Sequence, residues 1–142
     1  MSKLFFRFIL IACTWVFGLI PGHENAWAEE HEEKGSAQYY DLKPAFVANF
    51  GTSTKKLKFV KANVSIRASS EQAVSMVVMH EPLVRHQIVL LLSRQTEESL
   101  SASAGQESVR VEALNLVQEA LKKETGSPQI DDLLFTSFVV QR

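Results

Sequence analysis

The amino-acid sequence predicts an α+β fold, a two-layer domain whose mostly antiparallel sheet of three to four strands carries helices on one face. Three observations lead there. Leu57 to Ala68 alternates apolar and polar residues with a period of two. Between Glu71 and Lys123 the apolar residues recur at helical spacing. The chain then closes on Leu133-Leu134-Phe135 and Phe138-Val139-Val140, the apolar runs of another strand.

Taken in order, the folded part opens at Tyr39. Pro44 restricts Lys43 to extended geometry, so a short edge strand is expected around Ala45 to Asn49, ended by the turn Gly51-Thr52-Ser53-Thr54. In the second strand Val60, Ala62, Val64, Ile66 and Ala68 share one face, and Lys61, Asn63, Ser65 and Arg67 share the other. Ser69-Ser70 offers a cap to a helix running from Glu71 through Ala73, Val74, Val77 and Val78. Pro82 suits the first turn of the next helix, whose core stripe is Leu83, Val84, Ile88, Leu91 and Leu92. Because Ile88 to Leu92 is apolar all round, that helix should be the most buried. Thr96 to Ala104 reads as a short helical turn and a loop. Glu107 to Lys123 reads as a long helix with Glu107 and Glu112 near its start and Lys122 and Lys123 near its end, matching the macrodipole. Gly126 and Pro128 stop it. Ile130 to Arg142 suits a central strand covered on parts of both faces.

The 142 residues include 15 Lys+Arg and 16 Asp+Glu, so no basic footprint for nucleic acid exists. Residues 1–28 read as a signal peptide or an N-terminal membrane anchor. Lys3 and Arg7 make a basic start, Phe8 to Ile20 is free of charge, Pro21-Gly22 breaks the helix, and Ala26 and Ala28 are the small residues that precede a cleavage site. As a helix the uncharged run rises about 20 Å, short of a roughly 30 Å hydrocarbon core. Leu10-Ile11-Ala12-Cys13 also matches a lipobox, which leaves lipidation as a third fate. Each alternative places the folded part outside the cytoplasm, either in the periplasm or anchored to the inner membrane and facing it. Residues 29–38, with four glutamates, read as a flexible acidic tether. Cys13 is the sole cysteine, so cleavage would leave a chain without disulfides or thiol chemistry.

No catalytic constellation emerges, and an enzyme is not expected. His80 and His86 are six apart and point to different faces of a helix, with Glu81 and Glu97 the nearest added ligands. His23 and His31 lie among solvated acids. Asp131-Asp132 is expected to cap a turn before the last strand rather than act as an acid/base pair. The glycines form no phosphate loop. Neither a metal nor another cofactor is expected.

The order of residues does resemble a known family. Tyr39-x-x-Leu42-x-Pro44, Leu57-Lys58-Phe59-Val60 and His80-Glu81-Pro82-Leu83-Val84-Arg85 are similar to the FliL family of flagellar basal-body proteins. The likeness continues through Ile88 to Leu92, Gln95-Thr96-Glu97-Glu98-Ser99-Leu100, Gly105, Val109-Arg110 and Glu112-Ala113-Leu114. It closes with Phe135-Thr136-Ser137-Phe138-Val139-Val140-Gln141. The resemblance makes 39–142 a FliL-like periplasmic domain and implies a stomatin/prohibitin-type fold. It further implies association with flagellar stator units, a ring-like homo-oligomer, and influence on rotation, swarming and chemotactic motility. The family-motif positions Pro82, Arg85, Gly105, Arg110, Phe135, Phe138 and Gln141 are then expected to be structural. Pro82 would start a helix, Gly105 would allow the loop before the long helix, and Arg85 and Arg110 would pair with Glu81 or Glu112. The chain departs from the family pattern at His86, at Glu119-Ala120 and in its apparent cleavage site. The alternative to a motor role is a periplasmic binding module for a small ligand or cell-wall material, which requires a concave pocket of converging polar groups.

Overall fold

The computed structural model describes residues 36–51 and 57–141. The leader with Ala26 and Ala28, Cys13, His23, His31 and residues 29–35 of the tether lie outside the described residues. The elements in chain order are β1 (Gln38–Asn49), β2 (Phe59–Ala68), α1 (Glu71–Met79), α2 (Glu81–Ser93), α3 (Glu97–Ser101), α4 (Ser103–Thr125) and β3 (Asp132–Gln141). The three strands form one open antiparallel sheet in the order β1-β2-β3, so the fold is α+β.

β2 lies at the centre, and its alternating pattern is explained by what covers it. Val60, Ala62, Val64, Ile66 and Ala68 are buried, whereas Lys61 and Asn63 are exposed. Its neighbours keep the same inward face despite two breaks in register. Between Leu42 and Phe46, β1 places three residues opposite Asn63 alone, an even insertion that leaves Leu42, Phe46 and Ala48 all buried. Pro44 sits in that irregularity, where no ladder bond is asked of its missing N–H. β3 instead carries a one-residue bulge at Thr136, since Phe135 faces Val64 and Ser137 faces Asn63. An odd insertion flips the alternation. Leu133 and Phe135 before it, and Phe138 and Val140 after it, therefore all turn inward against the core.

Three expectations about the strands are corrected here. β1 is 12 residues long, not a short segment after Pro44, because Gln38 to Leu42 pairs with Val64 to Ala68. β3 is an edge strand, not a central one. Its double apolar runs reflect the bulge, which needs an inward residue on each side of Thr136, and Val139 stays 52% exposed on the outer face.

The helices cover the inward face. α2 packs on α4 and β1, α4 reaches β3, and α1 meets β1 and β2. Ser70 accepts the Ala73 amide to cap α1, and the single residue His80 links α1 to α2. Val84, Ile88, Leu91 and Leu92 of α2 are buried, but Leu90 is exposed, so the helix is amphipathic and not buried all round. A reciprocal cap between Thr96 and Ser99 starts α3. The expected loop before the long helix shrinks to Ala102, since α4 begins at Ser103. Its first turn has no acidic residue, because Glu107 lies past it, while Lys122 and Lys123 do occupy the last turn. Gly126, with φ of 81°, forms the left-handed cap. Val109, Ala113, Val117 and Leu121 give α4 its buried stripe, closing a core with Phe46, Ile66, Ile88 and Leu133.

Candidate functional site

Two arginines tie helices to edge strands. Arg85, one turn into α2, donates from Nη2 to the Pro44 carbonyl at 2.8 Å, fastening α2 to the irregular stretch of β1. Its guanidinium lies 4.3 Å from the centre of the Phe46 ring, a cation–π distance. Nη1 stands 3.6 Å from Glu81, near enough to pair in charge but too far for a hydrogen bond, and its N–H groups are buried without an acceptor. Glu81 is drawn instead toward Tyr40 on β1, whose hydroxyl donates to Oε2 at 2.8 Å. That bond to a carboxylate, reinforced by burial, raises the Tyr40 pKa above the ordinary phenol value.

At the other edge, Arg110 on α4 gathers Glu107 of its own helix, Asp132 of β3 and the Leu133 carbonyl. Asp132 also accepts the Leu133 amide at 2.8 Å. Both backbone groups of Leu133 are thus held by side chains. The Arg110 hydrogen bonds hold the Glu107 carboxyl below its usual range, and Glu107 foremost raises the Arg110 pKa further above its already high value. The partners of Arg110 are Glu107 and Asp132 and not Glu112, since the side chain leans toward β3.

The remaining motif positions divide by role. Pro82 occupies the first turn of α2. Gly105 lies within the first turn of α4 and not in a loop, and an added Cβ would fall 2.3 Å from the Ser99 carbonyl oxygen. Close approach of α3 and α4, rather than loop freedom, demands glycine there. Phe135 and Phe138 flank the bulge with ring centres 5.0 Å apart, and Gln141 ends β3 opposite Phe59. His80 joins α1 to α2, His86 is exposed on α2, and Asp131 gives its amide to the Arg67 carbonyl. Among the described residues no three His, Cys, Asp or Glu side chains converge as a metal site. A cavity of about 470 Å³ is lined by Phe50, Lys58, Arg94 and Glu97, and in it Lys58 is ion-paired with Glu97. The same pair joins the residue just before β2 to α3, a link that sequence reasoning missed because 39 residues separate the partners.

Residues 39–141 match the family model described as flagellar basal body-associated protein FliL. The chain belongs to the FliL family. The match begins one residue into β1 and ends with the last residue of β3, so every described element except the first residue of β1, Gln38, falls within it. Among curated proteins, the flagellar protein FliL of Aquifex aeolicus (strain VF5) is 24% identical over 102 residues. That alignment spans 72% of this chain and 60% of the relative. Both arginine clusters therefore lie within the FliL domain. No helix among the described residues is long and apolar enough to cross a membrane.

Proposed function

We propose that this FliL-family chain is a non-enzymatic accessory protein of the flagellar motor, acting by contact. In this reading the domain lies on the periplasmic side of the inner membrane and associates with stator units. It influences rotation, swarming and chemotactic motility there, and copies assemble as a ring of identical subunits. Residues 1–28 deliver the domain, either cleaved after Ala28 or kept as an anchor, and residues 29–37 tether it, since Gln38 already belongs to β1. Kinship with stomatin/prohibitin-type domains belongs to the same proposal.

The observation that carries it is the FliL match running across the whole described domain. In keeping with a structural part, the charged motif residues Arg85 and Arg110 are spent on fastening helices to strands. Deleting the gene in frame and scoring swimming, swarming and rotation under viscous load tests it. Impaired swarming restored by the intact gene supports the proposal, and unchanged motility under load overturns it.

A further inference from the structure

α1 lies across the end of the sheet at which β1 begins, and both ends of the helix are placed there. Its cap, Ser70, follows two residues after Ala68, which stands opposite Gln38, the first residue of β1. Just past its last residue, Glu81 accepts the hydroxyl of Tyr40, the third residue of β1. Ala73 and Val77 turn inward, and Val77 belongs to the core.

The other side of α1 does not suit water. From Gln72 to Met79 the helix carries no charge. Met79 is 70% exposed and Val78 46%, and at about 100° per residue both lie away from the Ala73 and Val77 stripe. Tyr39, 60% exposed, stands at the same end on the outer face of the sheet. Apolar surface gathered in one place marks a contact site. What meets it follows from the chain in front. Residues 21–37 separate the uncharged run Phe8 to Ile20 from β1 and, fully drawn out, span at most about 60 Å. Where the leader is kept as an anchor, that chain holds the Gln38 end of the domain near the bilayer, and α1 with it. In a ring about an axis normal to the membrane, neighbouring copies meet side by side while the same end of each faces lipid.

We propose that Val78 and Met79 of α1, with Tyr39 at the same end, rest in the headgroup boundary of the inner-membrane bilayer. This rests on the anchored form of the function proposed for the chain. Methionine adapts its flexible thioether to an irregular surface, and tyrosine places an apolar ring below a polar tip. The contact is apolar rather than electrostatic. Glu71, Asp131 and Asp132 stand at this end against Arg67, so anionic lipid offers no attraction. So small a surface would hold a free domain poorly, but a tether raises its local concentration at the bilayer and makes weak contact sufficient.

The full chain carrying Cys13→Ser and Met79→Cys, with a fluorescent label on the new thiol, is reconstituted in vesicles of phosphatidylethanolamine and phosphatidylglycerol. Phospholipid bearing a nitroxide high on its acyl chain should quench that label by about half, as expected at interfacial depth. Replacing phosphatidylglycerol with phosphatidylcholine should change nothing. Val47→Cys in the same background, 58% exposed toward the far end of β1, should stay bright. Fractionation of cell envelopes holding the unchanged chain reports separately whether it is anchored. A retained chain whose Met79→Cys label stays bright overturns the proposal alone, and a blue shift without quenching assigns α1 to a protein contact instead. Equal quenching at Val47→Cys overturns it as well. Release of the unchanged chain into the soluble fraction overturns the anchored form and the proposal together.

Discussion

Gly105 packs so tightly on Ser99 that a methyl group at its position would sit 2.3 Å from the Ser99 carbonyl oxygen. The neighbour is backbone and cannot swing aside. Alanine is intrinsically the better helix residue by about 1 kcal/mol, which would favour Gly105→Ala in an isolated helix. Overpacking costs about 1–3 kcal/mol, and here α3 must move off α4. Gly105→Ala should therefore lower the urea midpoint, whereas a gain in stability would show that the contact is loose.

Arg110 serves two elements at once, so its loss should exceed that of an exposed ion pair. Arg110→Met strands Asp132 and the Leu133 carbonyl together and should cost about 1–3 kcal/mol. Lysine, lacking the planar fork, should recover only part of it. If Arg110 and Asp132 act as one unit, the double variant Arg110→Met/Asp132→Asn should cost less than the two single changes added, read from a double-mutant cycle of urea unfolding.

Thr136 is the extra residue that β3 loops out so that Phe138 and Val140 stay on the core face. Removing it sets Ser137 directly after Phe135, and uniform alternation then keeps Phe138 and Val140 inside and Val139 outside. Deletion of Thr136 should thus change stability by no more than about 1 kcal/mol. Phe138→Ala, which removes a half-buried inward side chain, should cost about 1–2 kcal/mol. Thermal unfolding by circular dichroism separates the two outcomes.

Tyr40 should keep its proton at a pH where a free phenol has begun to lose it. Its pKa is raised first by the hydrogen bond to Glu81 and then by burial. A folded value above the unfolded one of about 10 means that the stabilising contribution is complete below pH 10. It is lost as pH climbs through the folded value. Tyrosinate absorbance, with Tyr40→Phe as the reference, should place the Tyr40 step above the ordinary one. Glu81→Gln, which removes the carboxylate charge, should move that step back down.

Much of this fold was legible residue by residue. The β2 alternation, the Ser70 cap, the α2 stripe of Val84, Ile88, Leu91 and Leu92, and the Gly126 stop are statements about neighbours within a few residues. Local geometry repeats with a fixed period, so a linear pattern is enough to reveal it. Of the candidate site, the sequence supplied the positions Arg85 and Arg110 and the Glu81 pairing, but not the Tyr40, Pro44, Phe46 or Asp132 contacts.

Only the tertiary structure decided which strand lay in the middle, where β3 slipped by one residue, and why Gly105 had to be small. Tyr40 and Glu81 are 41 residues apart, and Arg110 and Asp132 are 22 apart. Such pairs depend on which element stands across from which, and on how closely two backbones approach. Composition and period alone determined that this chain would build a half-wet sheet under amphipathic helices. The identity of each partner was settled by packing, because burial of the shared apolar face fixes the distances at which polar groups can meet.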